Sequence, residues 1–233
     1  MEHIPSPNHG PRTFGGTPRL VVVHYTAMQG IDPVLRHFER PETQLSAHYV
    51  VGEDGRTVQM VDEDRRAWHA GIGCWGEFAD VNSFSIGIEL CNAGTHPFAA
   101  RQMDALERLL EDVMARHAIP PEAVIGHSDS APGRKQDPGP RFDWRRLAVR
   151  GLAVWPEGRA WRAPNWPAFR AALRRFGYTA EVDDAVLLET FRLRWRPCGL
   201  GPLDAEDMAV AGELASRWPV ETAAPVDLRV VAG

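Results

Sequence analysis

The sequence lacks several features that mark common classes of protein. No apolar run approaches the length of a membrane span, and the N-terminus has neither the basic nor the apolar segment of a secretory signal. The cysteines Cys74, Cys91 and Cys198 are odd in number, scattered and without CxxC spacing. This pattern predicts reduced thiols and argues against a disulfide framework or a cysteine-based metal site.

The sequence also lacks an excess of basic residues. Its formal net charge is −5, with arginine and acidic residues interspersed, whereas a nucleic-acid partner calls for a clustered basic surface. The 233 residues are 44% hydrophobic and 24% charged, which is ordinary for a globular protein. We therefore expect no nucleic-acid partner and no membrane span, and no protein partner is evident.

What is present is a set of strand and helix patterns that predicts an α/β fold. Residues 19–26 form a β-branched run typical of a strand buried on both faces, and Glu53-Asp-Gly55 is a hairpin turn signal. Because a hairpin is antiparallel, we expect a mixed central sheet flanked by helices. Further strands are predicted at 46–52, 56–62, 84–90 and 123–126, and helices at 34–39 and 98–118.

The C-terminal part of the chain has a different composition. Residues 151–164 are rich in Pro, Gly and Trp and read as a linker. Three helical patterns follow at 166–176, 183–195 and 204–218. We predict four parts: a catalytic domain at 1–155, a linker at 156–164, a three-helix domain at 165–220 and a tail at 221–233.

One loop concentrates the chemistry of the chain. It places the imidazole of His127, the ammonium of Lys135 and the carboxylate of Asp137 within residues 126–140, which three prolines stiffen. Imidazole and carboxylate bind a borderline divalent metal, and a nearby cation suits a developing oxyanion. A third ligand is available in His24, which the buried strand delivers to its carboxyl end, so the set predicts an open three-ligand zinc site. On its own, His24 would be an ordinary core histidine.

Glu89 lies on the same face of its strand as Ser85 and Gly87. Two interpretations are open. Glu89 is an ordinary exposed strand residue, or it is a general base whose pKa is tuned by burial and a nearby metal. In isolation Lys135 would be a solvated lysine, and its place between candidate ligands favours an electrostatic role.

A long loop runs from residue 63 to residue 83, and a loop of this length in a compact domain is usually functional or disordered. Its side chains Trp68, His69 and Trp75 are candidates for lining a substrate groove. The alternative is that they anchor the loop by packing.

Several of these motifs, taken in order, resemble the type-2 N-acetylmuramoyl-L-alanine amidases, zinc enzymes related to AmpD and AmiD that share their fold with peptidoglycan-recognition proteins. The resemblance runs from about Pro5 to Trp155. It implies that His24, His127 and Asp137 bind Zn²⁺, that Glu89 is the catalytic glutamate, and that Lys135 stabilises the oxyanion. The motifs are His24-Tyr-Thr26, Ser46-Ala-His-Tyr-Val-Val51, Trp68-His-Ala-Gly71, Ser85-Ile-Gly-Ile-Glu89, Gly126-His-Ser-Asp129 and Arg134-Lys-Gln-Asp-Pro-Gly-Pro140.

The resemblance also implies a substrate. Such an enzyme hydrolyses the amide between the lactyl group of N-acetylmuramic acid and the L-alanine of the stem peptide, so its ligands are peptidoglycan fragments. The chain begins at Met1 and runs directly into family-like sequence, which favours a cytoplasmic enzyme acting on anhydro-muropeptides in cell-wall recycling. The alternatives are a periplasmic amidase acting on intact sacculi after removal of an export signal, and a non-catalytic peptidoglycan-binding module.

The three C-terminal helices resemble the peptidoglycan-binding domain of AmiD-type enzymes, chiefly through residues 169–178 and 191–197. Residues 198–204 depart from the usual Asp-Gly-containing loop. The alternative is therefore a module that only packs on the catalytic domain. A second departure is Cys74, which stands where the family resemblance predicts a serine.

Overall fold

A computed structural model describes residues 1–220 of the protein, so the predicted tail at 221–233 lies outside the described residues. No helix within 1–220 is long and apolar enough to cross a membrane. The strands are β1 (Glu2–His3), β2 (His9–Pro11), β3 (Leu20–Tyr25), β4 (Tyr49–Val51), β5 (Thr57–Gln59), β6 (Arg65–Ala67), β7 (Ser85–Leu90) and β8 (Val124–Gly126). The α-helices are α1 (Ile31–Phe38), α2 (Val81–Phe84), α3 (Ala100–His117), α4 (His127–Ser130), α5 (Trp144–Val149), α6 (Trp166–Phe176), α7 (Asp184–Trp195) and α8 (Ala205–Arg217).

The centre of the fold is a six-stranded sheet in the order β1-β5-β4-β7-β3-β8. Strand β3 lies between β7 and β8 and is parallel to both, whereas β4 and β5 form the antiparallel hairpin. The consecutive valines Val21, Val22 and Val23 of β3 have no exposed surface, as expected for a central strand covered on both faces. The predicted mixed α/β fold is confirmed.

Two hydrophobic clusters form the interior. The smaller one lies between α1 and the β4–β5 hairpin. The larger one joins β3, β7, β8 and α3 to the C-terminal helices α6, α7 and α8. The C-terminal helices therefore share one continuous core with the sheet, and the division of the chain at residues 156–164 stays a prediction.

Two segments expected to lack regular structure contain strands. Residues 1–18, whose Pro, Gly and His content predicts an extended lead-in, supply β1, which pairs with β5, and β2, which pairs with β6. Strand β6 and helix α2 lie inside residues 63–83, so the prediction of one long unstructured loop is wrong there. The sequence Arg65-Arg-Ala67 carries no β-branched pattern, and its strand conformation depends on pairing with His9–Pro11.

Candidate metal centre

The carboxyl ends of three parallel strands meet at one edge of the sheet. In the register of β3 and β7, His24 lies opposite Glu89. In the register of β3 and β8, Val23 lies opposite Gly126, so that His127 follows at the same edge. Sites in open α/β sheets form at this edge, and the strands here bring together residues more than 100 positions apart in the chain.

Three potential metal ligands converge on one point. His24 Nδ1 lies 2.9 Å from Asp137 Oδ2, and His127 Nδ1 lies 3.0 Å from the same oxygen. The two Nδ1 atoms are themselves 3.0 Å apart. All three residues are buried, and the loop after α4 returns Asp137 to His127 because Ser128 N donates to Asp137 O at 2.9 Å.

The hydrogen-bonding partners of His127 determine which of its nitrogens faces this point. His127 Nε2 lies 2.9 Å from the carbonyl oxygen of Ala70. A carbonyl only accepts, so Nε2 carries the proton and Nδ1 presents a lone pair. Arg134 also donates to Ala70 O, at 2.6 Å, and so fixes this acceptor.

A longer hydrogen-bond chain orients His24 in the same way. Ser85 Oγ donates its single proton to Val81 O at 2.6 Å and therefore accepts from His69 Nε2 at 3.2 Å. Neutral His69 must then accept at Nδ1 from His24 Nε2, 3.0 Å away. His24 is left with a lone pair on Nδ1. Burial, followed by the electrostatic effect of the neighbouring His127, lowers the pKa of His24 to about 4, so the ring is neutral at pH 7, the form that binds metals.

The orientation of His69 requires Gly87. A Cβ atom on Gly87 would lie 2.4 Å from the His69 ring, so no side chain fits between strand β7 and this imidazole. Burial, and then the neighbouring imidazoles, hold the pKa of His69 well below its usual range. His69 is therefore a neutral relay behind His24, the kind of outer partner that orients metal-bound histidines.

The donor set fits a zinc ion. Three lone-pair acceptors face one another with no proton among them, an arrangement that is costly in a buried site unless a cation completes it. A tetrahedral site with bonds of 2.0–2.1 Å separates its ligand atoms by about 3.3 Å, close to the 2.9–3.0 Å between these three atoms. Two imidazoles and one carboxylate also suit Zn²⁺ in ligand type.

Glu89 lies beside this set, half-buried on β7. Its Oε2 atom is buried without a hydrogen-bond partner among the described residues. Burial, and then the negative charge of Asp137, raise the pKa of Glu89 to about 8, while the Lys135 ammonium acts in the opposite direction. A carboxylate with a raised pKa and a free oxygen can accept a proton from a neighbouring molecule.

The metal centre opens into a cleft of about 460 Å³. The cleft is lined by seven of the eight predicted site residues: His24, Trp68, His69, Glu89, His127, Lys135 and Asp137. Its further walls come from β3, the segment after it, α1 and the 133–136 loop. Trp68 and His69 thus lie at the cleft as expected, although the hydrogen bonds of His69 make it a partner of His24.

Trp75 lies elsewhere, and its predicted place in the cleft wall is corrected. The side chain is 1% exposed and packs edge-on against Phe176 and Tyr178, with ring centroids 5.5 and 5.0 Å away. A Cβ atom on Gly177 would lie 2.4 Å from the indole. Trp75 anchors its loop to the C-terminal helices, which is the packing alternative that the sequence left open.

Sequence reasoning missed three residues that support the site. Arg134 fixes the Ala70 carbonyl, and His48 accepts at Nδ1 from Gly87 N at 2.9 Å. Arg12 donates to Ser85 O at 3.1 Å and Ser83 O at 2.8 Å. His48 and Arg134 are parts of the motifs that carry the family resemblance, which could have indicated them, whereas Arg12 lies in a segment without a pattern.

The fold and this site define a class of α/β protein in which two histidines and one carboxylate that could hold a metal ion converge in a cleft. The family "N-acetylmuramoyl-L-alanine amidase" matches residues 14–140. The chain belongs to this family.

Two curated relatives support membership of this family. AmiD of Escherichia coli is 36% identical, with 86% of this chain and 83% of AmiD covered. AmpD of Enterobacter cloacae is 37% identical, with 62% of this chain and 87% of AmpD covered.

Solved structures agree. The complex of E. coli AmiD with the substrate anhydro-N-acetylmuramic acid-L-Ala-D-γ-Glu-L-Lys is 34% identical with a TM-score of 0.79, covering 88% of this chain and 92% of that one. AmpDh3 of Pseudomonas aeruginosa in complex with anhydromuramic pentapeptide is 31% identical with a TM-score of 0.79, covering 89% of this chain and 95% of that one. The predicted family is therefore confirmed.

Proposed function

We propose that the protein is a zinc-dependent N-acetylmuramoyl-L-alanine amidase, which hydrolyses the amide between the lactyl group of N-acetylmuramic acid and the L-alanine of the stem peptide. The observation that carries the proposal is the convergence of His24, His127 and Asp137 beside Glu89 in one cleft. Membership of the amidase family supports the same reaction.

The three convergent side chains would hold the metal through His24 Nδ1, His127 Nδ1 and Asp137 Oδ2. Zinc, when bound, supplies Lewis-acid polarisation and lowers the pKa of a water molecule. The protein contributes fixed tautomers, because His69 and Ala70 O accept the Nε2 protons and so direct both lone pairs inward.

Glu89 acts as the general base and acid in this proposal. Its carboxylate removes a proton from the attacking water and then passes it to the amine of the L-alanine as the carbon–nitrogen bond breaks. A pKa raised by burial suits this exchange, because a base is most effective when its pKa is near the working pH.

Lys135 pairs with the oxyanion that develops on the amide carbonyl. Its ammonium lies on the cleft wall with Glu89 and Asp137. A positive charge at a site of low dielectric stabilises a developing oxyanion more strongly than it would in bulk water.

A non-catalytic peptidoglycan-binding protein of this fold is the competing function. Such a protein has no need of a complete ligand set, whereas His24, His127 and Asp137 all converge here with Glu89 beside them. Metal analysis of the purified protein separates the two. We expect one zinc ion per chain, and a protein that stays metal-free in excess zinc would favour the binding module.

We further propose that the substrate is an anhydro-muropeptide released during cell-wall recycling. The support is indirect, since two solved relatives hold anhydromuramoyl peptides. The cytoplasmic location expected from the sequence goes with this substrate, and intact sacculi in the periplasm are the alternative. The two-domain division of the chain, with a peptidoglycan-binding-like module at 165–220, belongs to the same proposal.

Parallel digestion of purified anhydro-muropeptides and intact sacculi tests the substrate. We expect free stem peptides from the anhydro-muropeptides, identified by mass, with much slower release from sacculi. Release from sacculi alone would reject the recycling role, and release from neither would reject the amidase itself.

A further inference from the structure

The side of α4 that faces away from the cleft carries a second buried carboxylate. Asp129 is 1% exposed and lies two residues after His127. Its Oδ2 atom accepts hydrogen bonds from Gly126 N at 2.8 Å and Arg194 Nη1 at 2.6 Å. Its Oδ1 atom accepts from the hydroxyl of Tyr178 at 2.5 Å. Two of these three donors come from the C-terminal part of the chain, Arg194 on α7 and Tyr178 just after α6. A distant segment therefore holds the helix that begins at His127.

Arg194 spans the whole junction between β8 and α4. Its guanidinium lies between the rings of Trp144 and Trp195, with its central carbon 3.9 and 4.2 Å from the ring centroids. Besides Asp129, it donates from Nη2 to Val124 O at 3.2 Å. One side chain therefore forms hydrogen bonds with residues on both sides of His127.

Helix α4 holds both halves of the metal site. Ser128 N donates to Asp137 O at 2.9 Å. Gly126 lies so close to the next turn that a Cβ atom would be 2.8 Å from Pro138 Cδ. A shift of α4 would therefore move His127 and Asp137 together, relative to His24 on β3.

The loop that carries Cys74 and Gly76 is bonded both to α4 and to the segment just after α6. Cys74 N donates to Ser130 O at 2.8 Å, and Gly76 N donates to Gly177 O at 2.9 Å. The hydroxyl of Thr179 donates to Gly76 O at 3.0 Å. The far side of α4 is thus enclosed by residues that the C-terminal helices fix in place.

Arg194 directs its hydrogen bonds out of the C-terminal module, towards α4 and β8. Its Nε atom is buried without a partner among the described residues, and a buried donor left unsatisfied is costly. Arg192, two residues earlier on α7, instead bonds Asp207 from Nε and Nη2, at 3.1 and 2.5 Å. The hydrogen bonds of Arg192 among the described residues all stay inside the C-terminal module, which makes Arg192 a matched control.

We propose that Arg194 and Tyr178 are positioning residues for the metal centre, which act through Asp129 to set the place of His127 and Asp137. The C-terminal module then completes the ligand geometry of the catalytic cleft as well as packing against its sheet. The inference rests on the zinc binding proposed above, but not on the identity of the substrate.

The test compares Arg194→Met, Tyr178→Phe and Arg192→Met in the full chain. Zinc affinity is measured by competition with a chromogenic chelator, and ligand geometry by the visible absorption of the Co²⁺-substituted protein. The thermal midpoint of the metal-free protein reports stability separately. None of these measurements uses a muropeptide.

We expect Arg194→Met to weaken zinc binding by about 10-fold or more, the range found for outer-shell partners, and to alter the Co²⁺ spectrum. Tyr178→Phe should act in the same direction by a smaller factor. Arg192→Met should lower the thermal midpoint with zinc affinity and spectrum unchanged.

Equal zinc affinities in Arg194→Met and Arg192→Met would overturn the proposal. If Arg194→Met does not fold, Tyr178→Phe and Arg194→Lys decide, and wild-type affinity and spectrum in both would overturn it as well. A wild-type protein that binds zinc yet releases no peptide would reject the amidase reaction and leave this inference standing.

Discussion

The two sides of α4 carry buried polar clusters of opposite design. Towards the cleft, the tautomers assigned to His24 and His127 direct their Nδ1 lone pairs at each other and at Asp137 Oδ2. On the far side, Asp129 is fully matched by donors, one of them the guanidinium of Arg194. Helix α4 thus separates two clusters. The acceptors of the first require a bound cation, whereas the carboxylate of the second is paired with donors from the protein itself.

The difference shows how to recognise a site among buried charges. A buried carboxylate with a matched cation and several donors is satisfied and inert. A buried set of acceptors alone is costly, and it persists where a metal compensates it. Glu89 lies on the unsatisfied side, with a buried oxygen that has no partner among residues 1–220.

The largest effect is expected for Glu89→Ala, which tests whether the cluster on the cleft side of α4 is catalytic. Loss of a general base lowers turnover by a factor of about 10²–10⁴. Zinc content should be unchanged, because Glu89 is not among the three ligands. The assay is release of stem peptide from anhydro-muropeptide, with metal analysis of the same sample. An undiminished rate would remove Glu89 from the mechanism.

A smaller effect is expected for His69→Phe, which removes the acceptor of the His24 Nε2 proton. Without it, His24 can adopt the tautomer that carries its proton on Nδ1, towards the metal. We expect zinc affinity to fall by about 10- to 100-fold, measured by chelator competition. The control is Trp68→Phe, which changes the same cleft wall without touching the relay. Equal affinities in the two variants would contradict the relay.

The smallest effect concerns a carboxylate that belongs to neither cluster. Glu63 accepts from Tyr49, Arg116 and His117. Burial by itself would raise the pKa of Glu63, but these hydrogen bonds outweigh it and lower the pKa to about 2. Because the pKa is lower in the folded state, the stabilisation is present above pH 4.5 and is lost as the pH falls towards 2.

Comparison of wild type with Glu63→Gln measures that stabilisation. We expect the variant to be less stable by about 2 kcal/mol at pH 6, after allowance for solvent screening, and the gap to narrow on acidification to pH 3.5. Urea unfolding at the two pH values gives the difference. A gap that stays constant would show that the charge of Glu63 does not contribute, and zinc affinity at pH 6 should be the same in both proteins.

Much of the fold follows from local patterns. The three C-terminal helices lie within one residue of their predicted bounds at 166–176, 183–195 and 204–218. Helix α3 and strands β7 and β8 also match, because side-chain periodicity and β-branched runs are properties of single segments. The lead-in and residues 63–83 were not predictable in this way, since β2 and β6 are strands only by pairing with each other.

In the candidate site, too, some features follow from local sequence and others only from long-range contacts. The sequence by itself determined the ligand types, the strand that ends near His24 and the loop that carries His127 and Asp137, because these are matters of residue type and local order. Only the tertiary structure decided three further roles. His69 accepts the Nε2 proton of His24, Trp75 packs its loop against the C-terminal part of the chain, and Arg194 binds Asp129 of α4. Those roles depend on hydrogen bonds and packing between residues 45 to 103 positions apart, a distance over which no local pattern carries information.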